Sequence, residues 1–336
     1  MATIQDVAKQ AGVSTATVSR VLNGYEHVTA PVMEKVLAAI ADLGYEPNMM
    51  AKNLRTLKTQ RLIVTVPDIA NPFFSNIIRG VEETASAAGY TVLLGDVGFG
   101  GGSEEAYASL LRRKEADGLI FLGHTLPASL SAMIDQKGAS APIVNGCEFT
   151  EDLRVSSVHI DNARAARDVM DMLYSLGHRH IGIVTGDMRS PISRDRLQGV
   201  HDSATAHNAM ADLRIVNGDY SIESGAALAA GLVRTQPLPT AIFCFSDDMA
   251  FGAMYALRES GLDCPGDVSI VGFDDIRLAQ FGTPSLTTIR QPMREIGRRT
   301  VSLLLDIMDG KIAEQINITL DHELIVRGST AAPRTR

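Results

Sequence analysis

The chain has 336 residues, of which 45% are hydrophobic and 21% charged, and its formal net charge is −8. This is the composition of a soluble globular protein, and the length indicates two or three domains. No apolar run reaches the roughly 20 residues that span a bilayer, and the N-terminus lacks the basic and apolar regions of a signal peptide. We therefore expect a cytoplasmic protein.

The three cysteines, Cys147, Cys244 and Cys264, lie far apart and form no C-x-x-C pair. Buried thiols are therefore expected instead of a zinc site or a disulfide framework, and we expect neither a metal nor a cofactor.

The negative charge by itself argues against a nucleic-acid-binding protein. Residues 1–60 carry six Lys or Arg and five Asp or Glu, so the excess acid lies elsewhere, yet this segment is hardly basic. DNA binding must therefore rest on the pattern of residues and not on bulk charge.

The first 45 residues predict three short helices. Gly12 can adopt the left-handed backbone that ends the first helix, Ser14 can cap the second, predicted to run to Asn23, and Gly44 stops the third. Each helix has apolar residues at helical spacing: Val7, Ala8 and Ala11; Val18, Val21 and Leu22; Val32, Val36, Ile40 and Leu43.

The exposed face of the second predicted helix carries short or hydrogen-bonding side chains and one arginine. Such a face suits the major groove, where Arg20 can make paired hydrogen bonds to guanine. A unit of three helices could also be a plain interaction module, but an ordinary solvated helix carries more Lys and Glu, so we favour DNA reading. The predicted DNA-binding residues of this face are Ser14, Thr15, Ala16, Thr17, Ser19, Arg20 and Asn23.

The segments Thr3–Ala8 and Val13–Asn23 closely resemble the DNA-binding headpiece of the lactose/galactose repressor family. In that family the following segment is a hinge helix that folds on DNA and pairs with its partner-chain copy. The resemblance implies that Leu54 wedges open the central base step and that Arg55 contacts the minor groove. Without the resemblance this segment is a plain linker, because so short a helix is marginal alone.

From Arg61 onward, apolar strands alternate with amphipathic helices, and the same order returns after residue 160. This alternation predicts parallel sheets covered on both faces, in two lobes with a cleft at the strand ends. The strands are predicted at Arg61–Val66, Tyr90–Leu94, Gly118–Leu122, Ile181–Val184, Ala241–Cys244 and Val268–Val271.

The family resemblance covers this region as well, through Asn71–Ser75, His159–Asn162, Arg196–Gly199, Ser246–Ala250, Gly272–Asp275 and Leu286–Pro292. It implies an α/β periplasmic-binding-protein-like domain of two parallel-sheet lobes behind a three-helix helix-turn-helix headpiece. We divide the chain into a DNA-binding domain (1–46), a hinge (47–59) and an effector-binding and dimerisation domain (60–336).

The same architecture also serves enzymes, so the sites must decide. Gly98–Gly102 lacks the G-x-G-x-x-G spacing of a dinucleotide loop, and no H-E-x-x-H, G-x-S-x-G or phosphate-binding loop occurs. Asp247–Asp248 and Asp274–Asp275 look like paired carboxylates for metal or acid–base chemistry, but ligand-binding carboxylates also sit at strand ends. We identify no catalytic residue and expect no enzyme. The alternative is a cytoplasmic sugar- or nucleoside-binding protein, or an enzyme, with an incidental helical headpiece.

The resemblance also implies the effector-binding residues. Phe73 and Phe74 would flank the ring of the ligand, and Arg196 and Asp274 would bond its hydroxyls. Core packing is the alternative for the two phenylalanines, and a structural ion pair is the alternative for Arg196 and Asp274. Two further residues are expected nearby: Glu148 and Ser246.

Within the family, Glu323–Thr330 is most similar to nucleoside-responsive members, so a nucleoside or pentose is the expected effector. Arg189–Asp195, expected to line the cleft, departs from those members, because Pro191 and Ile192 offer no side-chain hydrogen bonds. The chain ends at Arg336 without the leucine-rich helix of tetrameric relatives, so a homodimer on a near-palindromic DNA operator is expected. The implied function is transcriptional repression, in which the effector changes the lobe angle and hinge folding, and thereby releases DNA.

Overall fold

The chain divides into two compact units, Met1–Lys58 and Thr59–Arg336, which are described separately. The computed structural model describes residues 2–22, 28–45, 58–98, 104–124, 126–149 and 154–334. Within these ranges no helix is both long and apolar enough to cross a membrane.

The described part of the first unit contains helices α1 (Ile4–Ala11), α2 (Thr15–Leu22) and α3 (Ala30–Leu43). Thr3 caps α1 reciprocally with Asp6: the Asp6 amide donates to the Thr3 hydroxyl (3.3 Å), and the Thr3 amide donates to the Asp6 carboxylate (2.8 Å). Gly12 ends α1 at φ 67°, a conformation that a side chain disfavours. The small core is formed by Val7, Ala8, Ala11, Val18, Val21, Val36 and Ala39.

The second unit alternates strands and helices. In chain order its elements are β1 (Arg61–Val66), α4 (Pro72–Ala87), β2 (Thr91–Asp96), α5 (Glu104–Arg112), β3 (Gly118–Phe121), α6 (Ala128–Lys137), β4 (Ile143–Gly146), β5 (Ser156–Ile160), α7 (Asn162–Ser175), β6 (Ile181–Thr185), α8 (Pro191–Ala206), β7 (Leu213–Asn217), α9 (Ile222–Leu232), β8 (Ala241–Cys244), α10 (Asp247–Glu259), β9 (Ser269–Val271), β10 (Thr288–Arg290), α11 (Met293–Met308), β11 (Asn317–Leu320) and β12 (Glu323–Ile325).

The strands form two parallel sheets and one short antiparallel pair. The first sheet has the order β11-β5-β4-β3-β1-β2, the second has the order β7-β6-β8-β9, and β10 pairs with β12. We call the first sheet with its helices the N-terminal lobe (59–160 and 293–320) and the second the C-terminal lobe (162–290 and 323–334). Each lobe is built around buried apolar strands, as expected for parallel sheets covered on both faces.

The chain passes between the lobes three times. It leaves the N-terminal lobe after β5, returns between β10 and α11, and leaves again between β11 and β12. We call residues 160–162, 291–292 and 321–322 the crossing segments. As a consequence, α11 and β11 complete the first lobe from the far end of the sequence.

All six predicted strands are present: β1 and β8 have the predicted ends, and the other four are shifted at one or both ends. β2 begins at Thr91 and extends to Asp96, and β9 is limited to Ser269–Val271. Six strands were not predicted: β4, β5, β7, β10, β11 and β12.

Candidate ligand cavity and nucleic-acid interface

Helix α2 presents the predicted DNA-reading face to solvent. Thr15, Ala16 and Arg20 are exposed, while Thr17 and Ser19 are half-buried. The exposed Ser14 begins the helix: its hydroxyl accepts from the Thr17 amide (3.2 Å) and lies 2.9 Å from the Thr17 hydroxyl. Three predicted DNA-binding residues, Asn23, Leu54 and Arg55, lie outside the described residues.

A cavity of about 310 Å³ lies between the two lobes of the second unit. Its walls come from the carboxyl ends of β1 to β4 and of β6 to β9, where side chains of parallel strands converge. All six predicted effector-binding residues line it: Phe73, Phe74, Glu148, Arg196, Ser246 and Asp274. This volume is at the small end of the range for small-molecule sites.

Phe73 and Phe74 form one apolar wall at the start of α4. Asn71 caps this helix by accepting from the Phe73 amide (2.9 Å), and the two rings meet edge to face with centroids 5.1 Å apart. Both side chains also belong to the core of the N-terminal lobe. Core packing and cavity lining, posed above as alternatives, therefore coexist at these positions.

Arg196 is only 2% exposed, although it carries a charge. Its Nε donates to the Asn162 side chain (2.9 Å), another guanidinium nitrogen donates to the Phe245 carbonyl, and the group stacks 3.6 Å from the Phe273 ring centroid. Asp274 accepts from Gln291 (2.7 Å). Among the described residues no ion pair joins Arg196 to Asp274, so the geometry does not support the structural-pair alternative. Instead, each is bonded to a crossing segment.

Of the four paired carboxylates, only Asp274 lines the cavity. Asp247 is buried and accepts from the Ile276 amide (2.8 Å) and the Thr288 hydroxyl (2.6 Å), so it ties α10 to the loop after β9. Asp275 pairs with Arg290 and Arg327. No cluster of three or more His, Cys, Asp or Glu that could hold a metal occurs in the described part of the chain.

Glu148 follows β4 and is 6% exposed. The Ser190 hydroxyl, from the opposite lobe, donates to its two carboxylate oxygens (3.2 and 3.1 Å). Burial raises the pKa of Glu148 to about 7, although the Ser190 hydroxyl and Arg196 lower it in part. Burial likewise raises the pKa of Asp274 to about 7 against the opposing effect of Arg196.

The sequence reasoning missed several residues of the cavity. Tyr220 follows β7, the unpredicted edge strand, and its hydroxyl lies 2.6 Å from that of Ser193. His124 follows β3, and Ser190 precedes α8. Only their positions in the sequence could have identified these residues, because each lies shortly after a strand of a parallel sheet.

The segment Arg189–Asp195 was expected to line the cleft, and only part of it does. Arg189, Ser190 and Ile192 line the cavity, whereas Pro191 is buried at the start of α8. The Ser190 hydroxyl and the Ile192 backbone amide both bond Glu148, whereas the side chains of Pro191 and Ile192 offer no hydrogen bonds. Of the Gly98–Gly102 loop, only Gly98 is described, and it borders the cavity.

A helical unit with a polar reading face, together with a two-lobed domain around a ligand cavity, defines a ligand-responsive DNA-binding regulator. Residues 3–48 match the family described as bacterial regulatory proteins, lacI family, and residues 155–330 match the periplasmic binding protein-like domain. The chain is 42% identical over 332 residues to the HTH-type transcriptional repressor CytR of Escherichia coli (strain K12), covering 98% of this chain and 97% of the relative.

Similar solved structures include two that have a ligand or DNA bound. The lac repressor dimer bound to operator and the anti-inducer ONPF matches with a TM-score of 0.87 at 31% identity, over 98% of this chain and 99% of that one. A LacI family transcriptional regulator from Enterococcus faecium with bound ribose matches with a TM-score of 0.74 at 28% identity, over 82% and 100% of the chains. The chain belongs to the lacI family: it is a DNA-binding transcriptional repressor under the control of a small-molecule effector.

Proposed function

We propose that the effector is an uncharged nucleoside or pentose held in the cavity between the lobes. The observation that carries this proposal is the pairing of an aromatic wall with buried Arg196 and Asp274, which suits a hydroxylated ring with one flat face. The similarity to CytR and to a regulator crystallised with ribose supports it. In this proposal Phe73 and Phe74 flank the ligand, Arg196 and Asp274 bond its hydroxyls, and Glu148 and Ser246 bond its remaining polar groups.

The charges around the cavity favour a ligand without phosphate. Four acidic residues, Glu104, Glu148, Asp187 and Asp274, face two arginines, Arg189 and Arg196. Arg189 is paired with Asp187 (2.6 Å), and Arg196 makes the contacts described above. A phosphate would therefore meet one arginine that is already paired with an acid and a second whose donors are partly engaged by the protein, beside the carboxyl groups of Glu104, Glu148 and Asp274.

On the DNA side, the proposal assigns Arg20 to guanine and Thr15 and Ala16 to base edges, with Ser14, Thr17, Ser19 and Asn23 around them. Leu54 and Arg55 are assigned to contacts in the minor groove. Both residues belong to a proposed hinge at 47–59, which joins a DNA-binding domain at 1–46 to an effector domain at 60–336. The protein acts in the cytoplasm, where the DNA is, and has no enzymatic activity of its own.

The working form is proposed to be a homodimer on a near-palindromic operator. Support comes from large apolar side chains that the C-terminal lobe exposes: Phe281 (65%), Leu278 (58%) and Tyr255 (52%). The turn at Gly282 lies against Phe251, which is one helical turn from Tyr255 on α10. These residues therefore belong to one region of the surface.

The effector is proposed to act by changing the angle between the lobes. Arg196 and Asp274 are each hydrogen-bonded to a crossing segment, through Asn162 and Gln291. A ligand that engages these two side chains would therefore bias the segments about which the lobes turn, and with them the folding of the hinge on DNA. A coupling energy of about 1–3 kcal/mol changes operator affinity roughly 5- to 150-fold.

The experiment combines ligand-dependent melting with operator binding. The full-length protein is melted with cytidine, adenosine, uridine, ribose, ribose 5-phosphate and lactose; a ligand at about 100 times its Kd adds about 2.7 kcal/mol of stability, which raises Tm by several degrees. The ligand that raises Tm is then added to a complex with operator DNA selected from a random library, and we expect it to weaken binding.

A Tm shift with lactose or the sugar phosphate alone would overturn the nucleoside or pentose assignment. Tighter operator binding with the ligand would overturn release. Turnover of the bound ligand would instead support the enzyme alternative.

A further inference from the structure

Glu148 is a buried acidic residue in the wall of the cavity. It lies between the lobes, and its hydrogen-bond donors are two uncharged groups, the Ser190 hydroxyl and the Ile192 backbone amide. The nearest basic group is His124, whose Nδ1 lies 3.8 Å from the carboxylate. Burial lowers the pKa of His124, so this imidazole is neutral near pH 7 and does not compensate a carboxylate charge.

Among the other ionisable groups, Arg196 attracts the carboxylate and lowers the pKa of Glu148, whereas Asp195 on the same helix repels the carboxylate and raises that pKa. The remaining neighbours, Cys147, Tyr220 and Asp274, are themselves acids, and burial raises the pKa of all three. Burial of Glu148 therefore outweighs the groups that lower its pKa, and it favours the neutral form of the side chain.

The protonation state decides which partner the carboxyl group can bind. An ionised carboxylate only accepts hydrogen bonds, whereas a neutral carboxylic acid donates one and accepts others. A ring nitrogen beside an exocyclic amine, as in cytosine and adenine, presents one acceptor next to one donor. The neutral acid matches both groups, whereas the carboxylate would place its charge against the lone pair of the ring nitrogen.

Resting on the nucleoside function proposed above, we propose that Glu148 selects an amino-substituted nucleobase by binding it as an uncharged carboxylic acid. Its O–H donates to the ring nitrogen, and its C=O accepts from the exocyclic amine. Ser190 holds the carboxyl group from the opposite lobe. The base therefore occupies the Glu148 side of the cavity, and the ribose hydroxyls face Arg196 and Asp274.

The proposal predicts that binding of cytidine is linked to pH. If only the neutral form of Glu148 binds, the apparent Kd rises roughly 30-fold between about pH 6 and about pH 8.5, because the free acid titrates near 7. The affinity for uridine should depend less on the protonation of Glu148, because the ring nitrogen of uracil is itself a hydrogen-bond donor. The full-length protein is titrated with cytidine, adenosine or uridine, and calorimetry measures the binding.

The informative variant is Glu148→Gln, whose amide also donates and accepts but carries no charge. We expect it to bind cytidine at every pH about as tightly as the wild type does at pH 6. Glu115→Gln, at an exposed glutamate before β3, is the matched control and keeps the wild-type pH dependence. Melting curves establish that both variants are folded.

Three outcomes would overturn the proposal. If the wild type bound cytidine with the same affinity at every pH, Glu148 would not bind the base as a neutral acid, but the nucleoside assignment would stand. A pH dependence that persists in Glu148→Gln would assign it to another group, such as Asp274. If no nucleoside binds at any pH while operator binding is intact, this proposal and the nucleoside assignment fail together, but the repressor function stands.

Discussion

Arg20 is the single charged side chain that α2 presents among its exposed residues. Replacing it with alanine removes paired hydrogen bonds to a base, so we expect a loss of about 1–3 kcal/mol in operator affinity, or roughly 5- to 150-fold. The measurement is fluorescence anisotropy with operator and with unrelated DNA of equal length. The loss should be larger on the operator.

The control for this experiment is Lys35→Ala, an exposed basic residue on α3. It removes the same charge without touching the reading face, and should weaken binding to both DNAs by a similar factor. Equal losses on the two DNAs for the Arg20 variant would instead assign Arg20 to the phosphates.

Glu148 also affects the stability of the protein. Its pKa is near 4.5 in an unfolded chain and about 7 in the fold, so the folded state holds the proton over this range while the unfolded state loses it. The stability contributed by this group is complete below pH 4.5 and is lost as pH rises through 7. Relative to wild type, Glu148→Gln should gain up to about 3 kcal/mol from pH 5 to pH 8 in denaturant unfolding. A constant difference between the two proteins would contradict this.

Family resemblance named Arg196, which stands among other charged and polar residues of the sequence, and Asp274, which follows a buried strand. Both side chains line the cavity, and their role in binding stays a prediction. Tyr220 and Ser190 carry no distinguishing mark, because a tyrosine or serine in a loop is ordinary. Their place depends on which strand ends lie side by side, which is a property of the fold.

At the scale of elements, close helix packing depends on two glycines. Gly80 on α4 and Gly297 on α11 let the two helices touch: a Cβ on Gly297 would lie 2.2 Å from the Ile77 carbonyl oxygen. Gly297→Ala must push the helices apart, so we expect a loss of about 1–3 kcal/mol in the free energy of unfolding. Urea unfolding measures it.

The opposite result is expected at Gly231, an exposed position of α9 where a Cβ would meet nothing within 4 Å. Gly231→Ala should stabilise the protein by about 0.5–1 kcal/mol, since alanine has less backbone entropy to lose. If both substitutions changed stability in the same direction, the packing argument for Gly297 would be wrong.

The elements that sequence reasoning missed share a physical cause. The strands β1, β3 and β8 are buried except at Arg61 and have mostly apolar sequences, and all three were predicted. β7 is an edge strand whose residues are mostly exposed, and β11 and β12 are short and half-exposed. β4 ends in Asn145 and Gly146, which break the apolar run although both are buried. Whether these segments form strands depends on partner strands that are distant in sequence, and the local residue pattern does not reveal those partners.

The whole molecule is proposed to work as a dimer, and the exposed apolar region of the C-terminal lobe tests this. Phe281→Asp places a charge where burial against a second copy is expected, so the variant should become monomeric at micromolar concentration and lose operator affinity. Sedimentation velocity measures the first effect. Val326→Asp is the control, because Val326 is also exposed (61%) but lies after β12. A Phe281→Asp variant that stays dimeric would place the interface elsewhere.

The three crossings of the chain have a consequence for its synthesis. A ribosome that has released residues up to Arg290 has delivered all but two elements of the first lobe, but α11, which covers its sheet, and the edge strand β11 are still missing. The nascent lobe therefore exposes an apolar face and an unpaired β5 edge until translation passes residue 320. Neither lobe can be completed before the last elements of the chain are made, so we expect the growing chain to be most prone to aggregation during that interval.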